Sequence, residues 1–172
     1  YGEAPLFPHL DGSAPDPDKA NARLKRWTFD LSKNTDDYTV EQLDDTVCEF
    51  ARLDERFAGL NYRHGYFACN GGLDSNSGGF NALGHIDHQT GKISKYDMGP
   101  QFATSEPVFV PRSKTAPEGQ GYLVANVYDA EIDKTHLCIL DAENVAAGPI
   151  GKAMMDHRVP FGFHGNWRPL GG

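Results

Sequence analysis

The 172-residue chain has little of what a cross-linked, membrane-spanning or polyanion-binding protein needs. Its three cysteines, Cys48, Cys69 and Cys138, are odd in number and show no CxxC spacing. That leaves neither a complete disulfide framework nor a zinc-binding pattern, and reads as three reduced thiols. No apolar run reaches the roughly 18 residues of a membrane span, and no signal-peptide pattern opens the chain. A cytoplasmic location without membrane contact from this segment is therefore expected. Lys and Arg total 16 against 24 Asp and Glu, for a net charge of −8. With no basic patch to offset that charge, binding to nucleic acid or anionic lipid is opposed by repulsion. Helical periodicity is also scarce, with only residues 16–26 and 141–147 carrying enough for a turn or two. A starting Met is missing as well: the first residue is Tyr1, which points to a fragment or a processed product of a longer chain.

What is present argues for a folded, turn-rich protein. Hydrophobic residues make up 39% and aromatic residues 11%, while 19 Gly and 11 Pro favour turns over long helices. Residues 1–22 are rich in Pro, Asp, Ala and Gly and read as a surface loop. Residues 23–31 alternate, with Trp27, Phe29 and Leu31 on one face and Arg26, Thr28 and Asp30 on the other, which predicts a half-buried strand. The acidic stretch from Asp36 to Asp45 reads as a connection.

A run of short strands follows. Candidates are Tyr62–Cys69, Phe80–His88, Ile93–Met98, Glu106–Pro111, Tyr122–Tyr128, Thr135–Asp141 and Ile150–Met155, separated by Gly-, Asn- and Asp-rich turns. The fold class is thus all-β, with antiparallel meanders and long loops. Periodicity alone leaves a sandwich, a barrel and a stack of propeller blades equally open.

Among seven histidines, most read as hydrogen-bonded or surface residues. His85 and His88 would share one face of a helix. Their segment reads as strand and turn, however, so they point to opposite faces and a surface turn is the better reading. His164 differs. It lies between Phe161-Gly162-Phe163 and Gly165-Asn166-Trp167, where small residues permit close backbone approach and aromatics exclude water. Upstream, Ser105-Glu106-Pro107-Val108-Phe109 sets a carboxylate among apolar neighbours. Glu49 stands beside Phe50 in Cys48-Glu49-Phe50-Ala51-Arg52. A carboxylate buried in such company needs a partner.

Two segments, Val159–Trp167 and Ser105–Arg112, resemble the C-terminal signatures of the carotenoid cleavage oxygenases, which include lignostilbene dioxygenases. The resemblance runs from about Pro5 to Trp167, although the family's chains are well over twice this length. It implies a seven-bladed β-propeller, of which residues 1–172 would form about two to three C-terminal blades of a single domain. It implies that His164 is the fourth of four histidine ligands to Fe(II). The other three would come from the N-terminal remainder of the same protein. Glu106 would accept a hydrogen bond from His164, and Glu49 would support one of the absent histidines. The family's usual Glu-Phe-Pro-Arg reads Glu-Phe-Ala-Arg here, because Ala51 replaces the proline. Phe161 and Phe163 would line a cavity for a long conjugated substrate, with core packing an equal alternative.

The implied reaction is oxidative cleavage of a conjugated carbon–carbon double bond by dioxygen, giving two carbonyl products from a hydrophobic small molecule. Leu6–Gly12 and Arg26-Trp27 are similar to the lignostilbene and isoeugenol branch, whereas Ser105–Arg112 and Val159–Trp167 are similar to apocarotenoid-cleaving members. The reading leans to a stilbene or phenylpropanoid. Two alternatives stay open: a non-catalytic propeller fragment, and an iron-dependent isomerase or hydrolase on the same scaffold.

Overall fold

The computed structural model describes residues 7–16, 19, 21–72 and 79–169. It divides into two compact units, Tyr1–Glu49 and Phe50–Gly172. In the first unit, β1 (Lys25–Phe29) and β2 (Tyr38–Gln42) form an antiparallel hairpin in which Trp27 pairs with Val40 and Phe29 with Tyr38. Trp27 stacks on Tyr38 at 4.9 Å between ring centroids, while Arg26 and Glu41 form an ion pair at 3.0 Å on the opposite face. Two sequence expectations change here. The stretch read as a connection contains β2, because Tyr38 and Val40 supply the alternating partners that β1 needs. The expected half-burial also fails: Trp27 is 54% exposed and Phe29 57%, since a two-stranded hairpin leaves its apolar face uncovered.

The second unit contains two antiparallel sheets. One runs in the order β3 (Cys48–Leu53), β4 (His64–Cys69), β5 (Ala82–Asp87) and β6 (Lys92–Asp97). The other is centred on β9 (Gly121–Asp129). One side of β9 carries β10 (Lys134–Asp141) and then β11 (Pro149–Met154). The other side carries β7 (Phe102–Thr104) and β8 (Val108–Pro111). The expected strands recur with boundaries shifted by one or two residues, but β3 and the short β7 were not anticipated. Of the two helix candidates, the second contains only the 3-10 turn Val145–Ala147. The first, residues 16–26, partly falls on residues 17, 18 and 20, outside the described residues, and its last two residues, Lys25 and Arg26, are strand. Residues 1–6 of the expected N-terminal loop also lie outside the described residues.

The central strand obeys period-two patterning. Gly121, Leu123, Ala125 and Val127 are buried, while the residues between them are half-buried. These side chains meet Tyr66, Ala68 and Leu83 of the other sheet, together with Phe109, Cys138, Leu140 and Val145, in one core. Tyr66 stacks on Phe109 at 5.7 Å across the sheets. Each fully buried Leu or Val contributes about 1.5–3 kcal/mol. On the opposite face of the sheet that carries Tyr66, Gly84 pairs with Phe67 and leaves room for its ring, which a Cβ at position 84 would overlap.

The edge strand of the second sheet is interrupted where the chemistry begins. Thr104 pairs with Val127 and Val108 with Val124. Four residues advance along the edge (108 − 104) against three along β9 (127 − 124), so the edge carries one extra residue, a β-bulge. Pro107 has no N–H to give the ladder. Ser105 bridges the gap: its N–H donates to Asn126 O at 2.8 Å and its Oγ accepts from Asn126 N at 3.0 Å. The bulge re-aims the intervening residue, Glu106.

Candidate metal centre

Glu106 is 5% exposed and has a partner for each oxygen. Its Oε1 lies 3.2 Å from Nδ1 of His164, and its Oε2 accepts the Gly165 N–H at 2.9 Å. Arg52 Nη1 also lies 2.9 Å from Oε2. An ionised carboxylate only accepts, so the ring donates from Nδ1 and keeps a lone pair on Nε2. The Glu106 carboxyl is held below the ordinary carboxylate range. Burial, the largest single influence, pushes it up, but the Gly165 N–H, His164 and Arg52 together outweigh burial.

The His164 side chain is 74% exposed. Its ring meets Phe50 edge-on at 6.0 Å and Phe163 at 6.4 Å. Phe50 has φ of 57°, in the left-handed region that a bulky side chain rarely adopts. Such a conformation costs on the order of 1–3 kcal/mol and persists only where surrounding structure holds it. Here it sets the ring against His164.

The backbone that carries His164 is tied down at both ends. Upstream, Thr135 Oγ1 accepts from Val159 N at 2.9 Å, and Thr135 N donates to His157 O at 3.2 Å. Downstream, Arg52 Nη1 donates to Gly165 O at 3.0 Å, while Arg52 Nη2 reaches Asn166 Oδ1 at 3.5 Å and also contacts Glu55. Between these ties, Phe161 and Phe163 border a cleft of about 580 Å³ whose wall includes Phe50, Phe80, Val124 and Leu137. That volume falls within the range of small-molecule sites.

The expected pair, His164 and Glu106, is thus together, and both phenylalanines face the same cleft. Glu49 is the remaining candidate. It is exposed on β3, contrary to the burial that Phe50 suggested, because strand alternation turns Glu49 and Ala51 away from the face that carries Phe50 and Arg52. Arg52 and Phe50 were missed as site residues. Their shared parity in Glu49-Phe50-Ala51-Arg52 was the available signal.

The other histidines contribute no second centre. His85 lies not in a surface turn but within β5, where alternation places it between His64, at 3.0 Å from Nδ1 to Nε2, and the Tyr66 ring, at 5.2 Å. No cluster of three or more His, Cys, Asp or Glu side chains suited to a metal occurs among the described residues. As a metal donor, His164 fits in one respect: its far nitrogen is anchored to a buried carboxylate, the usual support for a ligating imidazole. One imidazole cannot hold an ion alone, so a metal here requires donors beyond those gathered among the described residues.

The architecture defines the class. The all-β arrangement matches the β-propeller carotenoid oxygenase structures. Among them is a crystal structure of a lignostilbene dioxygenase from Pseudomonas brassicacearum, with a TM-score of 0.86 and 34% identity over 95% of this chain and 36% of that one. The chain belongs to the RPE65 (retinal pigment epithelial membrane protein) family, whose model matches residues 3–169. Lignostilbene-alpha,beta-dioxygenase isozyme III of Sphingomonas paucimobilis is 40% identical over 95% of this chain and 35% of its own length. Isoeugenol monooxygenase of Pseudomonas putida is 34% identical over 94% of this chain and 35% of its own length. The chain therefore spans about a third of these relatives.

Proposed function

We propose that this chain is the C-terminal part of a non-haem Fe(II) dioxygenase that cleaves a conjugated carbon–carbon double bond in a stilbene or phenylpropanoid. In this reading the two sheets of residues 50–172, with the β1–β2 hairpin, belong to two to three blades of a seven-bladed ring. His164 holds iron through Nε2, and three histidines from the N-terminal remainder complete the set. Glu49, exposed on β3, supports one of those three. Bound Fe(II) supplies activation of dioxygen for attack on the alkene.

The observation that carries the reading is the His164–Glu106 contact at 3.2 Å beside an aromatic cleft. Glu106 keeps the Nδ1 proton in place and holds the ring at a fixed angle. Phe161, Phe163 and Phe50 offer faces and edges to a planar aromatic substrate and exclude water from it. No side chain of this chain serves as an acid or base. The alkene carbons each gain one oxygen atom of O₂ as the double bond breaks, so both atoms of dioxygen leave in the two carbonyls.

The test uses the full-length protein loaded with Fe(II) and supplied with a hydroxystilbene and ¹⁸O₂. Two aromatic aldehydes, each carrying one ¹⁸O, are expected. Recovery of an isomerised alkene, or of products labelled only from water, would overturn cleavage in favour of an isomerase or a hydrolase.

A further inference from the structure

We infer that Arg52 is a positioning residue for the proposed metal centre, acting as a fork that locks the Glu106 carboxylate and the Gly165 peptide on either side of His164 into one rigid unit. The inference rests on the reading of His164 as a metal ligand and extends it to a residue with no part in that reading.

Arg52 is only 15% exposed along its side chain, and its donors are divided among separate structures. Nη1 points at Glu106 Oε2, 2.9 Å away, and at Gly165 O, 3.0 Å away. Nη2 turns to Glu55 and to Asn166 Oδ1. Gly165 is held twice, since its N–H donates to the oxygen that Arg52 also contacts and its carbonyl accepts from the same guanidinium. The planar guanidinium presents five N–H donors at fixed angles, which a lysine ammonium cannot reproduce.

The consequence concerns orientation. Glu106 fixes the Nδ1 side of the His164 ring, but the ring direction also depends on the backbone bearing it. That backbone has an exposed stretch, Phe161 to His164, and lies outside any strand. Without Arg52, Gly165 keeps one tie, to a carboxylate that has itself lost its ion-pair partner. The imidazole then samples a wider arc. A metal site built on it loses affinity and uniformity, although every metal-binding atom is still present.

The experiment compares full-length wild type with Arg52→Met, Arg52→Lys and His164→Ala, each stripped of metal and titrated with Co(II). Absorption bands of the bound ion report ligand geometry, and thermal melting of the metal-free proteins reports folding. His164→Ala should bind Co(II) at least about 100-fold more weakly. Arg52→Met should bind about 10-fold more weakly, with broadened bands. Arg52→Lys should recover less than half of that loss on a logarithmic scale, because an ammonium meets Glu106 without spanning to Gly165. In turnover by the Fe(II) forms, kcat should fall with KM nearly unchanged.

If His164→Ala binds Co(II) like wild type, the ligand reading itself fails. If His164→Ala loses the ion while Arg52→Met retains wild-type affinity and spectrum, the positioning role alone is overturned. Should Arg52→Met fail to fold, Arg52→Lys decides: wild-type affinity and band shape overturn the fork, and a weaker, broadened site supports it.

Discussion

Glu106 Oε1 lies 3.2 Å from His164 Nδ1 although 58 residues separate them in sequence. The contact depends on an extra residue in an edge strand, which directs the carboxylate, and on a strap of backbone fixed at Thr135 and Arg52, which delivers the ring.

Replacing Glu106 with Gln keeps the shape but lets the amide present its N–H₂ group to His164, Gly165 N–H or Arg52. While Nδ1 carries the proton and Nε2 is given to a metal, any orientation sets a donor against a donor. Metal affinity of the full-length protein should fall about 10- to 100-fold. Stability should fall by on the order of 1–3 kcal/mol, discounted because Arg52 is partly exposed. Metal analysis and a thermal melt check both, and an unchanged metal content would show that Glu106 gives His164 no support.

A second prediction concerns pH. Burial, aided by the neighbouring His64, pushes the His85 imidazole down from 6.5 to about 4. A folded-state value below the unfolded one means that the unfolded chain takes up the proton first. The stability associated with neutral His85 is therefore fully present above about 6.5 and is lost as pH falls toward 4. The loss across this window is on the order of 3 kcal/mol. Denaturant unfolding of full-length wild type and His85→Gln between pH 7 and 4 should show a shallower decline in the variant. Parallel curves would refute the assignment.

Adding one methyl group at Gly84 should be costly. The new Cβ would overlap the Phe67 ring, which is itself 1% exposed and has no solvent to move into. Gly84→Ala should destabilise the protein by about 1–3 kcal/mol, read as a lower Tm. The double variant with Phe67→Leu should recover part of the loss.

Phe161 and Phe163 test the cleft. If they meet substrate, Phe161→Ala and Phe163→Ala should raise KM for a stilbene several-fold and leave the melting temperature within a degree or two, since both rings are more than half exposed. If they serve packing instead, stability should fall and KM should hold.

The strands were legible wherever alternation was clean, as in Tyr122–Tyr128, because period two is imposed by pleating and survives in the sequence. Strand β2 was hidden by its acidic surroundings, and β7 has only three residues, too few for any period to show. At the site, His164 and Glu106 stood out because unusual residue types sit in tight, apolar turns. Arg52 did not, since its significance lies in where the chain brings it: Glu106, Gly165 and Asn166 are more than 50 positions away, and nothing local to Ala51-Arg52-Leu53 records them. Glu49 misled for the converse reason. An apolar neighbour in sequence implies burial only if both residues face the same way, and on a strand adjacent residues do not.

The bulge between Thr104 and Val108 also limits how this region can vary among related proteins. Ladder pairings pin it on both flanks, so removing a single amino acid there would leave Val108 opposite Val124 and Phe109 opposite Leu123 but erase the extra residue that re-aims Glu106. Substitutions can accumulate at these positions one at a time, whereas a change in their number moves the carboxylate away from His164. Insertions and deletions should therefore be rare in this stretch and concentrate in turns such as Asp129–Asp133.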